Sequence, residues 1–173
     1  EQTADNGYIA IGFTYSSNSD IPNNKGYTDA WAIKIAANGN IEWSKTFGGT
    51  NEEWMNDVQQ TTNGGYLIVG ETKSFNGDVT NNHGSLDSWI IKLQTNGNLQ
   101  WQKTYGGSRN DRANCTQKTN DGHYIIAGYT ESNNGDITNS HDGTDAWVIK
   151  IDDLGNILQQ TTVGTNSTEG ANS

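Results

Sequence analysis

The chain has one proline, one cysteine and one methionine in 173 residues, and no apolar run approaches the roughly 18 residues of a membrane helix. Membrane insertion by a helix is therefore not expected. The single Cys115 cannot close an internal disulfide, so no disulfide framework organises the fold. Basic residues are also scarce, with 10 Lys and Arg against 20 Asp and Glu and a net charge of −10. Nucleic acid and anionic membrane are poor partners for such a chain, whereas cations, basic proteins and neutral glycans suit it. Hydrophobic residues make up only 31%, a share at which a featureless chain would stay unfolded. Glu1-Gln2-Thr3 lacks Met and a charged-then-apolar leader, so any signal peptide has been removed or lies upstream.

What the chain does contain is one pattern written three times. Tyr8, Tyr66 and Tyr124 lie 58 residues apart, as do Asp29, Asp87 and Asp145, and Trp31, Trp89 and Trp147. No insertion breaks the register. A fixed period of this kind marks a repeat architecture whose units bury their faces against one another. Three repeats follow, about 1–58, 59–116 and 117–173, with the ends in phase: Ser173 takes the place of Cys115 and Glu1 that of Gln59 and Gln117. The ends either belong to a longer array or complete one split unit, and both readings stay open. The recurrent Trp and Tyr supply the large buried areas that the thin aliphatic content does not.

The middle repeat is the easiest to read. Tyr66-Leu67-Ile68-Val69 and Trp89-Ile90-Ile91-Lys92-Leu93 are short apolar runs flanked by glycine or turn residues, which suits strands covered on both faces. Leu99 to Tyr105 alternates, with Leu99, Trp101 and Tyr105 on one face, as a half-exposed strand does. Glu53 to Thr61 is polar around Trp54, Met55 and Val58 and is the least regular of the four. Asn96-Gly97 and Asn63-Gly64 predict hairpins, with a type I′ turn the expected form. The fold class is all-β, with four antiparallel strands per repeat. A polar first strand, two apolar ones and an alternating fourth fit the blade of a β-propeller, whose first strand lines the central channel. The first strand of the first repeat would be split between the chain ends. Three blades are fewer than a usual ring, so self-association or further blades are expected. A closed threefold fold, a β-trefoil or β-prism, is the alternative.

The joined motifs Gly77 to Gly84, Asp87-Ser-Trp-Ile-Ile-Lys-Leu, Asn96 to Gly107 and Asn63-Gly-Gly-Tyr-Leu-Ile-Val-Gly carry a resemblance. The chain resembles the β-propeller repeats of secreted and cell-surface proteins of Bacteroidetes, similar to SBBP-type repeats. The resemblance covers all three copies and implies a secreted or cell-surface propeller within a larger protein. It implies no enzymatic activity. The third copy departs from it, with Gln159 in place of Trp43 and Trp101, and Thr165 in place of Gly49 and Gly107.

The long loop between the second and third strands, about Lys73 to Asp87, is nearly constant, and rigidly held loops are where binding usually lives. Asn18 and Asp20, Asn76 and Asp78, and Asn134 and Asp136 open it, and Asp29, Asp87 and Asp145 close it. Asn18, Asp20, Asn76, Asp78, Asn134 and Asp136, with Trp54, are the candidate ligand-binding residues. Ca²⁺ takes six to eight oxygen ligands, and Asp20, Asp29, Asp78, Asp87, Asp136 and Asp145 are its candidate carboxylates. The spacing matches no complete Ca²⁺ loop, so Asx-turns that pin the loop without metal are the expected role. His83 and His141 align and read as exposed loop polarity. Trp31, Trp89 and Trp147 read as core between repeats. Trp54 is replaced by Arg112 and Gly170 in the other copies, so no shared packing rule demands it, and it is a candidate contact residue. No Ser/His/Asp constellation, paired-carboxylate motif, phosphate loop or Cys-x-x-Cys pair occurs, so no enzyme is expected. A non-catalytic scaffold that binds protein is the first function class, and a glycan-binding module, with or without Ca²⁺, is the second.

Overall fold

The computed structural model describes residues 1–17, 21, 23–165 and 167–168. Eleven strands form three antiparallel sheets. The first sheet holds β1 (Tyr8–Thr14), β2 (Asp29–Ile35) and β3 (Ile41–Phe47). The second holds β4 (Glu53–Gln60), β5 (Tyr66–Thr72), β6 (Asp87–Leu93) and β7 (Leu99–Tyr105). The third holds β8 (Asp111–Lys118), β9 (Tyr124–Thr130), β10 (Asp145–Ile151) and β11 (Ile157–Val163). Each runs in sequence order from one edge to the other. Among the described residues no helix occurs and no sheet closes on itself into a barrel.

The glycine-bounded turns set the hairpins, though not in the expected form. Gly97 has φ +77 and donates its N–H to the Gln94 carbonyl at 3.0 Å, while Gln94 donates to Asn98 at 2.9 Å. Among the described residues Asn96 has no positive φ, so a type I turn with one left-handed glycine replaces the type I′ turn. Gly64 and Gly39 repeat this arrangement. The first strands carry bulges: Asn56 is inserted between Met55 and Asp57 opposite Gly70 and Val69, and Asn114 sits likewise opposite Gly128 and Ala127. The extra residue re-aims the strand and increases its twist.

The sheets stack face to face. Ile9, Ala32 and Phe47 of the first sheet share a core with Tyr66, Trp89 and Ile91 of the second. Leu67, Val69 and Ile90, on the opposite face of the second sheet, share another core with Tyr124, Trp147 and Ile149. Every residue of β5 and β6 is consequently buried, as their continuous apolar runs require. β9 and β10 have a similar sequence pattern yet alternate buried with half-buried, because only one face is covered among the described residues. Trp89 and Trp147 are core residues, but Trp31 is half-buried, because no sheet lies on its side of β2 among the described residues. β4 packs beside both β1 and β8. Before β1, Gln2 pairs with Tyr8, and the Glu1 carbonyl accepts from the Ile9 N–H at 3.0 Å. This register repeats that of Gln60 with Tyr66, so Glu1-Gln2 begins a fourth strand on β1. Residues 169–173, the rest of that expected split strand, lie outside the described residues.

Candidate functional site

The long loop joins β5 to β6, and its equivalents join β1 to β2 and β9 to β10. Local hydrogen bonds fix its closing half. Asn81 and Asn139 adopt left-handed φ of 60 and 59, which Asn tolerates better than most residues. The Asn82 amide donates to the Ser74 carbonyl at 3.0 Å, while its Oδ1 accepts the Gly84 N–H at 3.0 Å. Asp87 Oδ2 accepts the His83 N–H at 2.8 Å and lies 2.8 Å from His83 Nδ1. Asp145 and His141 repeat this pairing at 2.6 and 3.3 Å, and Asp29 takes the Lys25 N–H at 2.9 Å. The two histidines are exposed, as their reading as loop polarity expects, and each is in addition the partner of a buried carboxylate. Only the coincidence of His and Asp four residues apart in two copies could have signalled it.

The opening half of the loop is tied to the preceding repeat. Asp78 Oδ2 accepts the Gly48 N–H at 3.0 Å, Asn76 Oδ1 accepts that of Thr50 at 3.0 Å, and Ser74 Oγ that of Asn51 at 2.9 Å. Lys25 of the first repeat also reaches Asp78. Asp136, Asn134 and Ser132 repeat the pattern on Gly106, Ser108 and Arg109 at 3.2, 2.9 and 2.9 Å. The approach is close: a Cβ on Gly49 would sit 2.4 Å from the Asn76 carbonyl oxygen, and one on Gly77 would sit 2.3 Å from that of Gly48. Glycine at both places is a steric requirement. The candidate ligand residues of two copies thus act as a latch between consecutive sheets. Asn18 and Asp20 lie outside the described residues.

Buried carboxylates lie beneath the latch. Asp29, Asp87 and Asp145 are fully buried, and each has an Oδ1 with no hydrogen-bond partner. Glu53 and Asp111, which open β4 and β8, are equally buried. Glu53 accepts from Gly49 N–H at 2.8 Å and from the Thr72 hydroxyl at 2.7 Å. Asp111 accepts from Gly107 N–H at 2.7 Å and the Ser132 hydroxyl at 2.8 Å. Asp87 and Asp111 converge on Gly106, whose Cβ would lie 2.8 and 2.7 Å from their oxygens. Burial pushes Asp29, Glu53, Asp87 and Asp111 above the usual carboxylate range, and repulsion from Asp78 at Asp29, from Asp29 at Glu53 and from Asp111 at Asp87 adds to it. Sequence reasoning missed Glu53 and Asp111. The acidic residue at one place in every copy (Glu53, Asp111, Glu169) was the available signal.

These shifts set a pH dependence. A carboxyl raised by folding stabilises the fold below its unfolded value near 4, and that contribution is lost as pH rises through its folded value. Asp5 and Asp121 are held low by hydrogen bonds from Thr3 and Lys34 and from Lys150 and Thr119, so their contribution falls away only in strong acid. The unfolding free energy is therefore expected to increase as pH is lowered through the raised values of these carboxyls toward about 4. Asp111→Asn removes one charge of the Asp87–Asp111 pair, which also faces His83, and should reduce that slope. Urea titrations across this range check it, and an unchanged slope in Asp111→Asn contradicts the assignment.

Trp54 lies half-buried in β4 with Lys73 Nζ 5.2 Å from its ring centre. Its counterpart Arg112 lies 5.7 Å from the Tyr129 ring and 2.7 Å from Glu71 of the second sheet. The position bridges neighbouring sheets or strands in both copies, with different chemistry. A polar groove of about 430 Å³ opens beside β7 and β11, with Asn81, Gln102, Lys103, Asp136 and Asn156 on its walls.

The geometry defines an all-β protein of stacked antiparallel sheets latched through their loops. No protein-family model matches the chain, and no curated protein matches it. Among solved structures, a protein of unknown function from Bacteroides caccae is similar at 14% identity and a TM-score of 0.39. The match covers 78% of this chain and 56% of that one, so the chain spans little more than half the length of this neighbour.

Proposed function

We propose that the chain is a non-catalytic scaffold and interaction module of a secreted or cell-surface protein, built as consecutive blades of a β-propeller. The repeated latch is the observation that carries this reading. Asn76, Asp78, Asn134 and Asp136 accept backbone N–H bonds from the preceding repeat, a structural role. The propeller reading draws support from the stacking of the sheets in sequence order and from β4 and β8 lying side by side at the same edge. The resemblance to Bacteroidetes surface repeats supports the location. Protein partners would then dock on the loop face or the sheet edges.

A glycan-binding role is the second reading, favoured by the polar groove beside Gln102 and Asp136. A glycan array probed with and without chelator separates the two, since specific sugar binding supports only the second. Ca²⁺ at 100 times its Kd would add about 2.7 kcal/mol per site if bound only by the folded state. The expected result is no shift in melting temperature with Ca²⁺, because the latch oxygens already hold N–H groups. A steep rise that Asp78→Asn abolishes would overturn the metal-free latch.

A further inference from the structure

Among the described residues, the end sheets each leave one apolar face bare. On the first sheet this face carries Tyr8, 48% exposed, with Trp31, Ile33 and Ile35 half-buried. On the third it carries Val163, 61% exposed, with Ile125, Ala127 and Val148 half-buried. In the second sheet the residues at the same repeat positions are core. Tyr66, Trp89, Ile91 and Leu93 face the first sheet, and Leu67, Val69, Ile90 and Tyr105 face the third. The bare faces are thus the two halves of a junction that the chain itself makes twice.

We propose that two copies of the chain dock head to tail, the bare face of the third sheet in one copy covering that of the first sheet in the other. The occupant follows from the template. The face around Trp31 has the pattern of faces that already seat on an outgoing sheet, and the face around Val148 has the pattern of their receptor. Such a contact joins unlike surfaces, so two copies close only if both junctions form at once, giving a ring. Six sheets fall within the four to eight of closed radial assemblies. The junction between copies is weaker than those within one. Trp43 and Trp101 donate their indole N–H to the Thr95 and Asp153 carbonyls at 3.1 and 3.2 Å, and Gln159 stands in their place. This inference rests on the stacking of the sheets and is independent of any ligand on the loops, so the glycan and Ca²⁺ experiments neither support nor weaken it.

Sedimentation velocity of the full chain over a concentration series tests it. The expected result is a concentration-dependent species of twice the single-chain mass. Ile33 and Val148 occupy the positions of Ile149 and Ile90, which share one core. Ile33→Glu alone and Val148→Lys alone should each weaken pairing tenfold or more. The double variant in one chain should recover most of it, since each junction then sets Glu against Lys. Gln159→Trp should tighten pairing. Both changed side chains are half-exposed in the single chain, so the variants fold, and circular dichroism checks this. A monomer at all concentrations overturns the proposal. So do assemblies growing beyond two copies, or a pair insensitive to one single variant and not restored by the double, which is the signature of like faces meeting.

Discussion

Gly70→Ala is expected to destabilise the fold by about 1–3 kcal/mol or more, the range of an overpacked site that cannot relax. A Cβ there would lie 2.0 Å from the Trp54 carbonyl oxygen and 2.8 Å from Met55 Cα, both backbone atoms of β4 at its bulge. Neither can yield without breaking the β4–β5 ladder. Gly128 meets the same obstacle, 1.8 Å from the Arg112 carbonyl oxygen. Gly12 occupies the same repeat position in β1 and would meet nothing within 4 Å among the described residues. Gly12→Ala should therefore be neutral or stabilising by up to about 0.5–1 kcal/mol, since glycine inside a strand carries excess conformational entropy. Chemical denaturation of the three variants reads the difference. Equal losses at Gly12 and Gly70 would mean that the pairing begun at Gln2 and Tyr8 continues along β1 as far as Gly12.

The strands of the second and third copies could be read from the sequence because apolar runs and glycine punctuation are local signals. Tyr66 to Val69 and Trp89 to Leu93 sit where their composition places them, and the long loop begins and ends as expected. The hairpin geometry was less legible: an Asn-Gly pair permits several turns, and the five residues from Gln94 to Asn98 select a type I form with Gly97 left-handed. The latch was invisible for a different reason. Asn76 and Asp78 find their partners at Thr50 and Gly48, 26 and 30 residues away in the previous repeat, so their roles depend on stacking. The polar first strand concealed Glu53 and Asp111, because charge in a sequence reads as solvent exposure unless hydroxyl and N–H partners are known. Lys92, inside a run read as covered on both faces, is fully buried with its ammonium on Asp153 of the next repeat. Trp31 shows the converse, since the motif that buries Trp89 buries it only when a further sheet is present.

One repeating sheet is stacked three times so that, among the described residues, only the second has both faces covered. Alanine in place of each recurrent tryptophan tests it most directly. Trp89 has no exposed surface and Trp147 has 3%, whereas Trp31 is half-buried in the same sequence motif. Removing a large aromatic from a packed core lowers stability by about 3–5 kcal/mol, through lost burial and the cavity left behind. Trp89→Ala and Trp147→Ala should fall in that range. Trp31→Ala should fall well below it, at about 1–2 kcal/mol, in proportion to the area it buries. The measurement is equilibrium unfolding in urea at a protein concentration low enough to keep the chain single, with the slope confirming two-state behaviour. The expected order is Trp89 and Trp147 far above Trp31. Equal losses at all three positions, or the largest at Trp31, would contradict the stack.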